Sequence, residues 1–160
     1  MGISAPQLRE FVVRPACMML DAHSKEAEDF LMEIACQESL CGFFIVQKGG
    51  PALSPWQIEP ATHTDIWTNF LAHRPRIRDR ILFYRNAPIK DLEKFLITDL
   101  LYAALIARVF LLRIKDPIPK TRAARAAYWK KFYNTVHGKG SEAEYLTNAA
   151  EHLGPENLHV

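Results

Sequence analysis

An apolar stripe that ends in a carboxylate is the feature that most constrains how this chain can fold. Ser24 is a suitable helix N-cap, and the residues after it place apolar side chains at the spacing of one helix face. Those apolar residues are Ala27, Phe30, Leu31, Ile34 and Ala35. Glu38 follows Ile34 by four residues, so it continues the same face. The pattern predicts a helix that carries Glu38 at its C-terminal end.

The position of Glu38 favours a carboxyl group that keeps its proton. Burial beside an apolar stripe and the negative end of the helix dipole both disfavour the charged form, so we expect a raised pKa. A carboxyl group of this kind can act as a general acid. The alternative is that Glu38 is an exposed residue at a frayed helix end. Glu28 and Glu33 lie elsewhere on the helical wheel, and we expect them to be solvated.

The segment after this helix indicates a small β excursion over residues 43–58. Residues 43–47 are strand-like, and the Gly-Gly-Pro sequence at 49–51 is a turn signal. Gln57 follows in a loop, and Pro60 is suited to open the next helix. This order is expected to return Gln57 to the neighbourhood of the first helix end.

Three motifs in this order resemble the soluble lytic transglycosylases and goose-type lysozymes, in particular phage proteins that carry such a domain. Those proteins have a Glu-Ser pair at a helix end, then a loop of the form Gly-x-x-Gln-Ile-x-Pro-x-Thr, then an aromatic-Tyr-Asn motif. The matching residues in this chain are Glu38-Ser39, Gln57-Ile58 with Pro60 and Thr62, and Phe132-Tyr133-Asn134.

The resemblance implies a mainly α, lysozyme-like domain that comprises residues 1–160, without a cofactor or a metal. Glu38 would be the catalytic acid that cleaves the bond between N-acetylmuramic acid and N-acetylglucosamine in peptidoglycan. As a base it would then help to close an anhydro ring. The residues that would bind the glycan or hold its loop are Ser39, Gln57, Tyr133 and Asn134. For Tyr133 and Asn134 the alternatives are a core aromatic residue and a helix-terminal polar residue.

The substrate loop departs from the family pattern. Ser54, Pro55 and Trp56 stand where Gly and a small hydrophobic residue are usual, and Trp56 is expected to pack in the core. Glu59 and Asp65 are the nearest other carboxylates, and Asp65 is expected to cap its helix. The lack of a convincing second carboxylate favours a transglycosylase over a two-carboxylate hydrolase. A structural tail or baseplate protein that keeps the fold without activity is the alternative to an enzyme.

Composition fits one compact domain, since 49% of the 160 residues are apolar. Residues 108–140 contain nine Lys or Arg against one Asp, which would face an anionic wall polymer or simply solvent. Nucleic-acid binding is a weaker third hypothesis, because basic and aromatic residues are interleaved only at 128–131. The three cysteines lack zinc-like spacing and are expected to be reduced thiols.

The rest of the chain is predicted to be helical. Residues 91–115 are expected to form one central buried helix, whose longest charge-free run of eight residues is too short to span a membrane. The other predicted helices cover 5–21, 62–73, 75–86 and 121–136, with a last one that begins at a Ser141–Glu144 capping box and ends at Gly154-Pro155.

The first 20 residues lack the uninterrupted apolar core of a secretion signal. The expectation is therefore a protein made in the host cytoplasm that is virion-associated or released at lysis. Its expected partners are bacterial peptidoglycan and phage tail or other virion proteins.

Overall fold

The computed structural model describes residues 2–134 and 138–156, and this part of the chain is mainly helical, as the sequence predicts. In chain order the helices are α1 (Ala5–Leu8, the π-helical Arg9–Val13 and Arg14–Met19), α2 (Lys25–Ser39), α3 (Pro60–Asp65, the π-helical Ile66–Phe70 and the 3₁₀-helical Leu71–His73), α4 (Pro75–Tyr84), α5 (Ile89–Leu92), α6 (Phe95–Thr98), α7 (Leu100–Leu112), α8 (Arg122–Trp129 and the π-helical Lys130–Asn134) and α9 (Glu142–Leu153). The predicted end of α8 at Val136 lies outside the described residues.

Helix α2 is the central element, and its predicted apolar stripe is fully buried. The Ser24 hydroxyl accepts a hydrogen bond from the backbone N–H of Ala27 at 3.0 Å, which confirms the predicted N-cap. Leu40 adopts a left-handed conformation with φ of 52° and ends the helix. Helices α1, α7, α8 and α9 all pack against α2. The stripe is therefore surrounded by the other helices, and the helix end with Glu38 lies at the margin of the core.

The prediction that Glu33 is solvated is wrong, because its carboxylate lies in a buried ion network. Glu33 is 1% exposed and accepts hydrogen bonds from Arg125 Nη2 at 2.7 Å and Nε at 2.8 Å. Arg122 and Tyr145 donate further hydrogen bonds to it. Arg125 is also 1% exposed and donates to Glu156 as well. This network joins α2, α8, α9 and the segment after α9.

Glu28 is also buried, contrary to prediction, and it joins α1 to α2. Arg9, Arg14 and His23 all form hydrogen bonds with its carboxylate at 2.8 to 3.1 Å. Burial by itself raises the pKa of Glu28, but the hydrogen bonds from Arg14, His23 and Arg9 outweigh burial and hold the pKa at about 2. The charged carboxylate is thus the stable form of Glu28 in the folded protein at neutral pH.

The predicted single helix over residues 91–115 is wrong, since the chain bends by 112° between α6 and α7. Asp99 has extended backbone at this bend, and its carboxylate accepts a hydrogen bond from the backbone N–H of Tyr102. Tyr84 and Arg85 donate to the same carboxylate. Asp99 therefore acts as the N-cap of a new helix, α7, which is buried through most of its length as expected for a central element.

Across residues 2–134 and 138–156, no single helix combines the length and apolar character needed to cross a bilayer. The bent pair Ile89–Thr98 and Leu100–Leu112 meets that standard by length and composition only when both members are counted together.

The excursion over residues 43–58 contains isolated β-bridges, and the structure assigns no regular strand within this range. Leu53 pairs in antiparallel fashion with both Val46 and Ile58. The backbone N–H of Ser54 also donates to the carbonyl oxygen of Ile45 at 2.8 Å. The excursion is thus a three-armed loop tied by backbone hydrogen bonds.

The predicted capping box of α9 is confirmed, because the side chains of Ser141 and Glu144 each accept a hydrogen bond from the other's backbone N–H.

We expect Arg125→Met to lower the free energy of unfolding by about 3 kcal/mol, because it leaves the Glu33 carboxylate buried without its closest cation. Urea denaturation measures the change. Arg78→Met is the matched control. Among the described residues Arg78 pairs only with the exposed Asp79, so its removal should change stability by less than about 1 kcal/mol. Equal effects of the two substitutions would contradict a dominant role for the buried pair.

Candidate active site

Glu38 lies half-buried in the last turn of α2, where the indole of Trp129 holds its carboxylate. Trp129 Nε1 donates a hydrogen bond to Glu38 Oε1 at 2.8 Å. The Trp129 side chain is fully buried and packs on the ring of Tyr145 with a centroid separation of 5.3 Å. Within the described residues, no hydrogen bond reaches Glu38 Oε2. One carboxylate oxygen is therefore fixed by the protein, and the other remains available to a ligand.

The environment raises the pKa of Glu38. Burial disfavours the carboxylate and is the larger cause, while the hydrogen bond from Trp129 favours the charged form and opposes it only in part. The direction agrees with the sequence-based prediction for a carboxyl group on an apolar stripe. Glu38 therefore holds its proton more readily than an ordinary surface glutamate does.

Glu38 opens onto a cavity of about 230 Å³ that also brings Gln57 close to it. The described residues that line this cavity are Glu38, Phe44, Gln47, Lys48 and Gln57. Phe44 contributes a partly exposed aromatic ring, and Lys48 contributes a cation that forms no ion pair with a described carboxylate. The cavity therefore combines one acid with amide, aromatic and cationic groups, a set that suits a polar ligand with flat apolar faces.

The loop that carries Gln57 has an unusual backbone. Ser54 and Gln57 adopt left-handed conformations with φ of 73° and 48°, which are uncommon for residues other than glycine. The Gln57 side-chain Nε2 donates to the carbonyl oxygen of Ser54 at 2.8 Å, and the Ser54 hydroxyl accepts from the backbone N–H of Trp56. Ser54 thus occupies, with local hydrogen bonds, a position at which the transglycosylase pattern usually has glycine.

Trp56 and Tyr133 attach this loop to the helices. Trp56 is fully buried, as predicted, and its Nε1 donates to the carbonyl oxygen of Leu31 in α2 at 2.9 Å. The Tyr133 hydroxyl donates to the carbonyl oxygen of Trp56, and its ring packs on Phe110. The loop is therefore tied to α2 through one residue and to α8 through the other.

Tyr133 also lies close enough to Glu38 to respond to its charge. Burial is the larger reason that the pKa of Tyr133 is raised well above its ordinary value, and the negative charge of Glu38 adds to the shift. Tyr133 lines a second cavity of about 130 Å³, adjacent to the first, together with Gln57. The structure thus brings Glu38, Gln57 and Tyr133 together around one loop.

The Ser39 hydroxyl forms hydrogen bonds with the backbone at the end of α2. It is 1% exposed, its hydroxyl donates to the carbonyl oxygen of Ala35 at 2.9 Å, and it accepts from the backbone N–H of Gly42 at 2.8 Å. Both interactions hold the chain where α2 ends. Ser39 does not line the cavity that contains Glu38.

The Asn134 side chain likewise binds a residue close to it in sequence, Lys130. Its Oδ1 accepts a hydrogen bond from Lys130 Nζ at 2.7 Å, and the same ammonium donates to the carbonyl oxygens of Gly138 and Gly140. Lys130 therefore joins Asn134 to the backbone of Gly138 and Gly140, and neither Asn134 nor Lys130 lines the cavity of Glu38.

Two other carboxylates lie nearby in sequence. Glu59 is exposed and lines the smaller cavity with Gln57 and Tyr133. The prediction that Asp65 caps its helix is wrong, because the helix begins at Pro60 and Asp65 binds Asn69 and Arg113 instead. Of the described residues, Glu38 is the one carboxylate that lines the larger cavity.

Three residues of the site were not predicted from the sequence: Trp129, Gln47 and Lys48. For Trp129 a signal was present, because it precedes Tyr133 by four residues and so projects from a nearby face of the same helix. Gln47 and Lys48 carried no such signal, since the placement of a loop side chain depends on the fold of the whole excursion.

Comparisons of this chain with protein-family models, with curated proteins and with solved structures found no match.

We expect Trp129→Phe to raise the pKa of Glu38 further, because the indole N–H that favours the charged carboxylate is lost while an aromatic ring remains. A carbon-13 NMR titration of the glutamate side chains measures the shift. Trp67→Phe is the matched control, since that indole donates to the Tyr102 hydroxyl instead. An unchanged Glu38 titration in Trp129→Phe would show that the hydrogen bond does not tune this acid.

Proposed function

We propose that this protein is a phage-type peptidoglycan lytic transglycosylase with Glu38 as its general acid and base. The observation that carries the proposal is the Glu38 carboxyl group, which has a raised pKa and lines a cavity. Trp129 holds one of its two oxygens by a hydrogen bond. General acid catalysis requires a protonated group that can reach the leaving oxygen. The three motifs that resemble the transglycosylases supply the substrate class, because they include both Glu38 and Gln57.

In the proposed reaction, Glu38 donates its proton to the glycosidic oxygen between N-acetylmuramic acid and N-acetylglucosamine. The bond from C1 to that oxygen breaks, and positive charge develops on the muramic ring. The resulting Glu38 carboxylate then takes the proton of the muramic 6-hydroxyl, whose oxygen bonds to C1 and closes the anhydro ring. One carboxyl group serves both steps, in contrast to the paired carboxylates of glycoside hydrolases.

The other residues of the cavity have proposed roles that follow from their contacts. Gln57 binds the glycan through its amide, and Phe44 stacks on a sugar face. Tyr133 is a positioning residue, because its hydroxyl holds the backbone of Trp56 next to Gln57. Trp129 directs the free Glu38 oxygen towards the cavity by binding the other. Peptidoglycan is the proposed partner, and delivery in a virion or release at lysis is the proposed route to it.

A second candidate function is a structural tail or baseplate protein with a lysozyme-like fold and no activity. The observation that favours it is the run of exposed apolar side chains from Phe43 to Val46, with exposed fractions of 39% to 56%. Exposed apolar patches frequently mark contacts with other proteins. The patch borders the cavity of Glu38 through Phe44, so a contact with another virion protein would be made beside that cavity.

Digestion of purified peptidoglycan tests the proposal. We expect the wild-type protein to release anhydro-muropeptides, identified by mass spectrometry, and Glu38→Gln to lower their rate of release by about 100-fold or more while it stays folded. Glu26→Gln is the matched control, because it makes the same chemical change on the same helix at a residue outside the cavity of Glu38. Its rate should remain at the wild-type level.

The products distinguish the alternatives. Muropeptides with reducing ends would identify a hydrolase instead of a transglycosylase. No product from well-folded wild-type protein would overturn the enzymatic proposal and favour the structural one.

A further inference from the structure

A larger cavity, of about 430 Å³, lies apart from the site of Glu38. It is formed where the turn after α1, the start of α4 and the end of α7 meet, and it shares no lining residue with the cavity of Glu38. Leu20, Ile77 and Leu112 supply apolar surface within it. A volume of this size lies within the range of small-molecule sites in proteins.

Guanidinium groups surround this apolar surface. Arg74, Arg76 and Arg80 line the cavity, and Asp21 is the one carboxylate among its described lining residues. Arg76 and Arg80 are one helical turn apart on α4, where two like charges repel each other and destabilise the helix. Asp21 is highly exposed and approaches Arg80 only at 3.8 Å, so it binds that guanidinium weakly.

Few of the donor groups of these arginines are used by the protein. Arg76 forms no hydrogen bond or ion pair with any residue of 2–134 or 138–156. Arg74 donates to the carbonyl oxygen of its neighbour His73 and stacks on the ring of Phe70. To the described part of the chain Arg80 donates one hydrogen bond, which the carbonyl oxygen of Met19 accepts at 3.2 Å. The buried network around Glu33 shows the contrast, because there the arginines are matched by carboxylates.

We infer that this cavity binds an amphipathic organic phosphate, with the phosphate group on the arginines and an apolar body against Leu20, Ile77 and Leu112. Guanidinium groups bind phosphate oxygens in a bidentate geometry. Three guanidinium groups and one carboxylate leave two positive charges, which match a dianionic phosphate monoester better than a monoanionic carboxylate. The start of α4 at the cavity adds the positive end of a helix dipole.

Octyl phosphate is a probe with both required parts, and isothermal titration calorimetry measures its binding. We expect saturable binding of one molecule per chain. Inorganic phosphate and octyl glucoside, which each carry only one of the two parts, should bind at least about 10-fold more weakly. Backbone amide NMR should place the largest shifts at Ile77 and Leu112.

Substitutions on α4 test the role of the arginines with a control on the same helix. Arg76→Gln and Arg80→Gln should each weaken the binding of octyl phosphate by about 10-fold. Arg78→Gln makes the same change in charge, but Arg78 binds Asp79 and does not line the cavity, so the affinity should stay within about twofold.

Equal weakening by all three substitutions would overturn the inference, because it would indicate attraction to net charge alone. Absence of saturable binding to the wild-type protein would overturn it as well. Arg76 has no partner within the described residues, so Arg76→Gln should fold even if Arg80→Gln does not. Wall digestion plays no part in these measurements, so their failure is distinguishable from failure of the proposed transglycosylase activity.

Discussion

The buried ion pair between Glu33 and Arg125 determines how the candidate site is assembled. It joins α2 to α8 in the core, and both side chains are almost completely excluded from solvent. Trp129 lies one helical turn after Arg125, and Glu38 lies five residues after Glu33. Because the ion pair fixes the two helices against each other, the next contact along them is the hydrogen bond between the Trp129 indole and Glu38. The buried pair thus positions the hydrogen bond of the candidate site.

The features that sequence could predict are those set by neighbours within one helix. The buried stripe of α2 and the hydroxyl cap at Ser24 depend on residues three or four positions apart, and both are present. Burial of Glu33 could not be predicted, because its main partner, Arg125, is 92 residues away. The break at Asp99 depends likewise on tertiary donors, Arg85 among them, that hold the carboxylate where it can start a new helix.

For the candidate site, motif spacing predicted the neighbours of Glu38 better than it predicted their roles. Gln57 lines the same cavity as Glu38, and Tyr133 lies near both, as the order of the motifs implies. Ser39 and Asn134 belong to the same motifs, but their polar atoms hold the backbone at two helix ends. A motif records which residues occur together, and only the folded chain separates those that line a cavity from those that bind the backbone.

The contact between Trp129 and Glu38 has an optical consequence. The chain contains three tryptophans, and this is the one whose indole N–H is bonded to a titrating carboxylate. Trp56 donates to a backbone carbonyl oxygen and Trp67 to a tyrosine hydroxyl, and neither acceptor is a carboxyl group. Protonation of Glu38 alters the electric field on one ring only. The fluorescence of Trp129 should therefore change when Glu38 gains or loses its proton, while the emission of Trp56 and Trp67 should not.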